Sequence, residues 1–134
     1  MPADERFAAL IAAWNDAWNA GRVDALDEIL MPRYVRHEGG ASTVGLDDHK
    51  QRIRNLREAF PDLRSVVDDI FGEGDRIAIR WTSFGTQSGA YLGLAPSGKT
   101  VTTRGISIAR IEAGKISEEW VNWDPHGVLA ELGS

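Results

Sequence analysis

The chain has 134 residues, 43% of them hydrophobic and 26% charged, which suits one globular domain with a core of its own. Its net charge of −5 comes without a basic block, which argues against nucleic acid as the main partner, since phosphate contacts need clustered Lys and Arg. The lack of cysteine excludes disulfides, thiolate metal sites and a cysteine nucleophile. No run approaches ~18 apolar residues, so no membrane-spanning helix is expected. The first residues carry acids where a secretory leader would carry bases. The expectation is a single cytoplasmic domain over residues 1–134.

In chain order, residues 4–20 repeat Phe7, Leu10, Ile11, Trp14, Ala17 and Trp18 at three- and four-residue steps, the stripe of an amphipathic helix, and Gly21 ends it. Residues 23–30 read as a short second helix with Val23, Leu26, Ile29 and Leu30 inward, stopped by Pro32. Residues 34–37 are a brief extended piece before a Gly39-Gly40 loop. A third helix is expected over 45–60, with Asp47 and Asp48 complementing the dipole of its first turn and Ile53, Leu56 and Phe60 inward. From Leu63 the composition turns to strand: 64–71, a turn at 72–75, and 76–85. The glycine-rich segment 86–98 carries Tyr91 and Leu92 and leads into a hairpin whose arms, 101–111 and 115–124, flank Ala113-Gly114. A helical period at Val128, Leu129 and Leu132 closes the chain. Helices followed by about four long strands argue for an α+β domain, with an antiparallel sheet covered on one face by three N-terminal helices.

A bent sheet closed by helices leaves a cone with an open end, and ligand sites are typically apolar concavities with a few convergent polar groups. The strands supply the aromatics for such a cavity in Phe71, Trp81, Phe84, Tyr91 and Trp120. Alternation along the last strand places Ile116, Glu118, Trp120, Asn122 and Asp124 on one face, apolar at first and ending in a carboxylate at the rim. Asp124 then has two readings that can coexist. As an Asp followed by Pro125 it is a favoured helix start, and as a rim carboxylate it is a candidate acid/base. His37 is either a loop histidine bonded to backbone or a member of a proton relay with a carboxylate. Trp120 is core or cavity wall, Trp14 and Trp18 are core, lid or ligand contacts, and Asn122 is a polar strand end or a partner for a substrate carbonyl. Glu118 and Arg80 are an inward ion pair or charges on an exposed face, and His49 and His126 are expected at the surface or at helix ends. The three histidines lack ligand spacing, so no metal site is expected. There is no G-x-S-x-G elbow, and Gly72-Glu73-Gly74 lacks the strand-to-helix setting of a nucleotide-binding loop.

The sequence resembles the SnoaL-like polyketide cyclases of the nuclear transport factor 2-like superfamily. The resemblance is carried by Phe60-Pro61-Asp62-Leu63, Gly85-Thr86 with Gly89, Pro96-Ser97-Gly98-Lys99, Gly105 with Ile108 and Arg110, Gly114-Lys115-Ile116 with Glu118 and Trp120, and Asp124, Gly127, Leu129 and Leu132-Gly133. It implies a cone-shaped, curved mixed sheet (a cystatin-like α+β barrel) packed by three N-terminal helices, often dimerised through the outer face of the sheet. It also implies an intramolecular aldol cyclisation without metal or cofactor, with Asp124 as general acid/base and His37 at the position of a pocket histidine. One departure is Glu131, where the family commonly has Gln.

The reading is a cofactor-independent acid/base enzyme acting on a small apolar, polyketide-like ligand. Asp124 and His37 are its catalytic candidates, and Trp120, Asn122, Trp81, Phe84, Tyr91, Trp14 and Trp18 its substrate-binding ones. The alternative is a domain of the same fold that binds a small hydrophobic ligand without turnover. The expected partners are that ligand and a second copy of the chain, not nucleic acid or membrane.

Overall fold

The computed structural model describes residues 2–133, with side chains from Phe7 onward. Helix α1 (Pro2–Trp14) continues into a π-helical turn (Asn15–Asn19), so the apolar stripe read from the sequence spans both. Phe7, Leu10, Trp14, Ala17 and Trp18 are buried and Ile11 half-buried. Asn19 fastens the end of this segment to the sheet, its Nδ2 donating to the Ser65 carbonyl at 3.0 Å and its Oδ1 accepting from the Ser65 N–H at 2.6 Å. Gly21, at φ +75°, takes the left-handed conformation that lets the chain reverse there. The expected second helix is a 3₁₀ segment (Val23–Glu28) rather than an α-helix. Lys50 ties it to α2 (Leu46–Ala59) through Asp24 at 2.9 Å and Asp27 at 2.7 Å. Arg57 of α2 caps the end of the first helical segment by donating to the Trp18 carbonyl at 2.7 Å.

The sheet has six strands, not about four: β1 (Leu30–Glu38), β2 (Ala41–Val44), β3 (Arg64–Glu73), β4 (Arg76–Thr86), β5 (Thr100–Glu112) and β6 (Lys115–Trp123). Their order is β2-β1-β6-β5-β4-β3, with β1 parallel to β6 and every other pair antiparallel, so the sheet is mixed. The brief extended piece expected over 34–37 is the end of the longer strand β1, whose full length and partner β2 escape a reading by pattern because β1 turns Tyr34, Arg36 and Glu38 inward. Alternation with charges on the buried side does not look like a strand. Helix α3 (Pro125–Gly133) closes the structure, with Val128 and Leu132 buried. The helices cover the concave face, and the core lies between it and α1, α2 and α3. Burying each Leu, Ile or Phe there stabilises the fold by about 1.5–3 kcal/mol. Among the described residues no helix is long and apolar enough to cross a membrane.

Candidate functional site

Between the concave face and the helices lies an apolar cavity of about 70 Å³. Trp14 and Trp18 close it from the first helical segment, Leu56, Phe60 and Leu63 from α2 and the turn after it, and Trp81, Val101 and Thr103 from the sheet. It gives onto an outer chamber of about 750 Å³ with a more polar wall that includes Asp48, Gln51, Asn55 and Asn122. Glu38, Arg52, Leu56, Tyr91 and Trp123 belong to both walls and form the neck between the two.

The neck is organised around Glu38. Arg36 Nε donates to its Oε1 at 3.2 Å, Arg52 Nη2 donates to both oxygens at 2.7 and 2.8 Å, and Trp123 Nε1 donates to Oε2. Behind this clamp the Tyr34 hydroxyl donates to Glu119 Oε1 at 2.5 Å, and Arg36 Nη1 lies 3.8 Å from the same oxygen. Burial, reinforced by the Glu119 carboxylate, raises the Tyr34 pKa well above its ordinary value, which keeps the phenol neutral. For Arg36 burial opposes the charged form, but Glu119, Tyr34 and Glu38 outweigh it and the pKa is raised. Burial likewise raises that of Tyr91, which keeps its hydroxyl neutral.

Four buried polar atoms among the described residues have no partner within the protein: Trp14 Nε1, Arg52 Nη1, His49 Nδ1 and Glu119 Oε2. Each such atom costs about 1–3 kcal/mol. Trp14 and Arg52 are wall residues of the cavity, but these two nitrogens lie behind its surface.

The aromatics expected at the site separate into two sets. Trp14, Trp18, Trp81 and Tyr91 line the cavity. Phe84 borders it with Ser83 and Gly85, yet 38% of the residue is exposed. Asn122 lies in the wall of the outer chamber. Trp120, Asp124 and His37 are in neither wall, which corrects the expected facing of the last strand. The physical cause is a bulge. Ile116 pairs with Ile111 but Glu118 with Arg110, so Ser117 is an extra residue in β6. Beyond it the alternation is inverted: Glu119, Val121 and Trp123 turn inward, and Glu118 and Trp120 turn outward.

On the outer face His37 stacks on Trp120 with centroids 5.5 Å apart, and its Nδ1 and Nε2 lie 2.9 Å from Ser42 Oγ and 2.6 Å from Glu118 Oε2. It is a strand residue bonded to side chains, not a loop histidine bonded to backbone. Phe71, Ala78, Ile108, Trp120 and His37 stand in register as one row across five strands of this face. Arg80 and Glu118 are not an inward pair either: Arg80 meets Asp69 at 3.2 Å and Glu118 meets Arg110 at 3.2 Å. Asp124 is exposed and caps α3, its Oδ1 accepting the Gly127 N–H at 2.9 Å.

His49, expected at the surface or a helix end, stands in the first turn of α2 but is 2% exposed, its ring 5.0 Å from that of Tyr34. Burial first, and then Arg36 and Arg52, lower its pKa well below the ordinary value. Above about pH 6.5 neither folded nor unfolded chain binds the proton. Below it only the unfolded chain does, so stability falls with pH until the folded-state pKa is reached. The expected slope approaches about 1.4 kcal/mol per pH unit. Urea midpoints at successive pH values between about 7.5 and 5 should follow it, and His49→Leu should flatten that part of the curve. An unchanged slope in His49→Leu would assign the effect to another group.

Arg36, Glu38, Arg52 and Trp123 were not singled out by the sequence reading. The one available signal was the i, i+2, i+4 spacing of Tyr34, Arg36 and Glu38, which puts all three on one face once the segment is a strand.

Residues 8–132 match the family model described as SnoaL-like polyketide cyclase. No curated protein matches the chain significantly. Among solved structures, TsrD of Streptomyces laurentii is 29% identical with a TM-score of 0.88, 96% of each chain being covered. AclR of Streptomyces galilaeus, called a hydroxylase, is 28% identical with a TM-score of 0.82, covering 98% of this chain and 97% of its own. IdmH of Streptomyces antibioticus, called a polyketide cyclase, is 26% identical with a TM-score of 0.81, covering 97% and 99%. The fold is that of the nuclear transport factor 2-like and ketosteroid isomerase-like proteins.

Proposed function

The chain belongs to the SnoaL-like polyketide cyclase family, and from that membership we propose that it removes a proton alpha to a carbonyl of an apolar, polyketide-like substrate and closes a ring by intramolecular aldol addition. One observation carries the assignment of the base: Glu38 is the sole carboxylate among the described residues of the inner cavity wall. In the reaction a Glu38 oxygen takes the alpha proton. The enolate carbon forms a C–C bond to a second carbonyl carbon of the same molecule, whose oxygen becomes an alkoxide. Protonated Glu38 returns the proton to that oxygen, and nothing is oxidised or reduced. Tyr91, which borders both the cavity and the outer chamber, donates to the oxygen that gains charge. A positioned base contributes about 10²–10⁴-fold, and each donor aimed at the developing oxyanion about 10²–10³-fold. As the resemblance implies, the scheme calls on no metal or cofactor.

The resemblance points to Asp124 for proton transfer, with His37 at the position of a pocket histidine, whereas this proposal gives the proton transfer to Glu38. Comparing Glu38→Gln with Asp124→Asn tests it. Asn caps a helix about as well as Asp, so Asp124→Asn should keep its turnover while Glu38→Gln loses it. The reverse result would return the role to Asp124.

A second reading is a domain that binds its ligand without turnover. It draws on the fact that the hydrogen bonds to Glu38 come from the protein's own Arg36, Arg52 and Trp123. Tight binding of a ketone whose alpha protons never exchange would favour it.

A further inference from the structure

Resting on the cavity as the ligand site, we infer that the substrate has two unlike parts. One is an apolar head no larger than a single six-membered ring with small substituents. The other is a neutral, hydrogen-bonding remainder that stays in the outer chamber, and the reacting carbonyl stands at their junction.

The first support is size. A cavity needs roughly 10–15 Å³ for each water it holds, and a water accounts for about 30 Å³ of liquid. The inner volume of about 70 Å³ therefore corresponds to roughly five to seven waters, or about 150–200 Å³ of liquid. That is room for one substituted ring. Leu63, Trp81 and Val101, all of them buried, bound that space. The outer chamber, at about 750 Å³, lies within the range of drug-sized ligand sites.

The second support is the distribution of polar groups. The inner wall is mostly aromatic and aliphatic, built from Trp14, Trp18, Leu56, Phe60, Trp81 and Val101. The outer wall is different: Gln51, Asn55, Asn122 and Thr43 are neutral donors and acceptors, and Asp48 is an acid. Among the described residues of that wall Arg52 is the one cation, and it already binds both oxygens of Glu38. An anionic tail would thus face Asp48 and Glu38 with no unpaired cation to offset them, whereas hydroxyl or amide groups are matched. Glu38 and Tyr91 stand at the neck, which puts the chemistry where head and tail join.

Three synthetic ketones test this on the full chain. One is a phenyl ketone whose carbonyl joins the ring to a neutral dihydroxyalkyl chain, one its naphthyl counterpart with the same chain, and one the phenyl ketone with a carboxyalkyl chain in its place. Binding is read by quenching of tryptophan fluorescence, since Trp14, Trp18 and Trp81 line the cavity. The phenyl ketone with the neutral tail should bind at least about tenfold more tightly than either of the others. Leu63→Ala enlarges only the inner wall and should bring the naphthyl ketone to parity. Should that variant fold poorly, Val101→Ala serves the same purpose. Equal binding of the naphthyl or carboxylate compound by the wild-type chain would overturn the two-part substrate while leaving the cavity as the site. Naphthyl binding that stays weak in the enlarged variants would overturn the size argument. Binding of none of the three would overturn both the inference and the cavity as the ligand site.

Discussion

Replacing Glu38 with alanine is expected to lower the stability of the fold by about 3 kcal/mol, the lower end of the range for breaking a buried charged cluster. The carboxylate is the shared acceptor of Arg36, Arg52 and Trp123. Without it Arg36, whose side chain is 7% exposed, keeps the 3.8 Å approach to Glu119 and its interaction with Tyr34. Arg52 loses its one ion-pair partner, and its side chain is 30% exposed, so water offsets part of the loss and the lower end applies. In a domain of this size the change corresponds to roughly 10 °C in Tm. Glu38→Gln keeps the shape and one acceptor oxygen, and should cost about 1–3 kcal/mol. Adding Arg52→Leu to Glu38→Ala should recover part of the loss, because it removes an uncompensated charge. Urea denaturation of the four proteins reads all of these. A Glu38→Ala variant within about 0.5 kcal/mol of wild type, the usual effect of a surface change, would mean that the clamp holds nothing in place.

The second large effect is expected from a single methyl group. Gly105 of β5 pairs with Trp81 of β4, and a Cβ at position 105 would fall 2.1 Å from Trp81 Cζ2 and 2.5 Å from Cε2. The indole lies across the glycine, buried, with its Nε1 donating to Ser107 Oγ at 3.2 Å. It has no flexible end that could swing aside. Gly105→Ala must push the ring into the cavity or part the strands, so a loss of about 3 kcal/mol or more is expected, at or above the usual cost of overpacking. Because Trp81 is also a cavity wall, ligand binding should fall with stability. Thermal unfolding and tryptophan quenching measure the two. A stable Gly105→Ala protein that binds normally would show that the ring has a second place to sit.

Much of the fold could be read from residue pattern. The stripe from Phe7 to Trp18, the turn at 72–75 and the hairpin around Ala113-Gly114 follow from local periodicity and turn chemistry, and all three occur. The aromatic half of the cavity was accessible for the same reason, since Trp14, Trp18 and Trp81 are apolar and belong inside. The polar half was not. A bulge of one residue at Ser117 inverts the facing of everything after it, and nothing in the composition of 115–123 marks that insertion. Its effect is to exchange Trp120 for Trp123 as the inward tryptophan. Strand β1 was legible only over 34–37, read as a brief extended piece. Charged residues turned inward obscured its full length, and their mutual pairing is what allows them to be buried. Asp124 looked like a rim carboxylate by alternation and like a cap by its Pro125 neighbour, and the bond to Gly127 displays the cap.

The most direct test of Glu38 as the acid/base of an enolising site is hydrogen–deuterium exchange at the alpha carbon of a bound aryl ketone in heavy water. It would be followed by proton NMR with wild type, Glu38→Gln and Asp124→Asn, each first checked for native near-ultraviolet dichroism. The predicted result is catalysed exchange with wild type and Asp124→Asn, and a fall of about 10²-fold or more with Glu38→Gln. Exchange that survives in Glu38→Gln, or that disappears in Asp124→Asn, would contradict it.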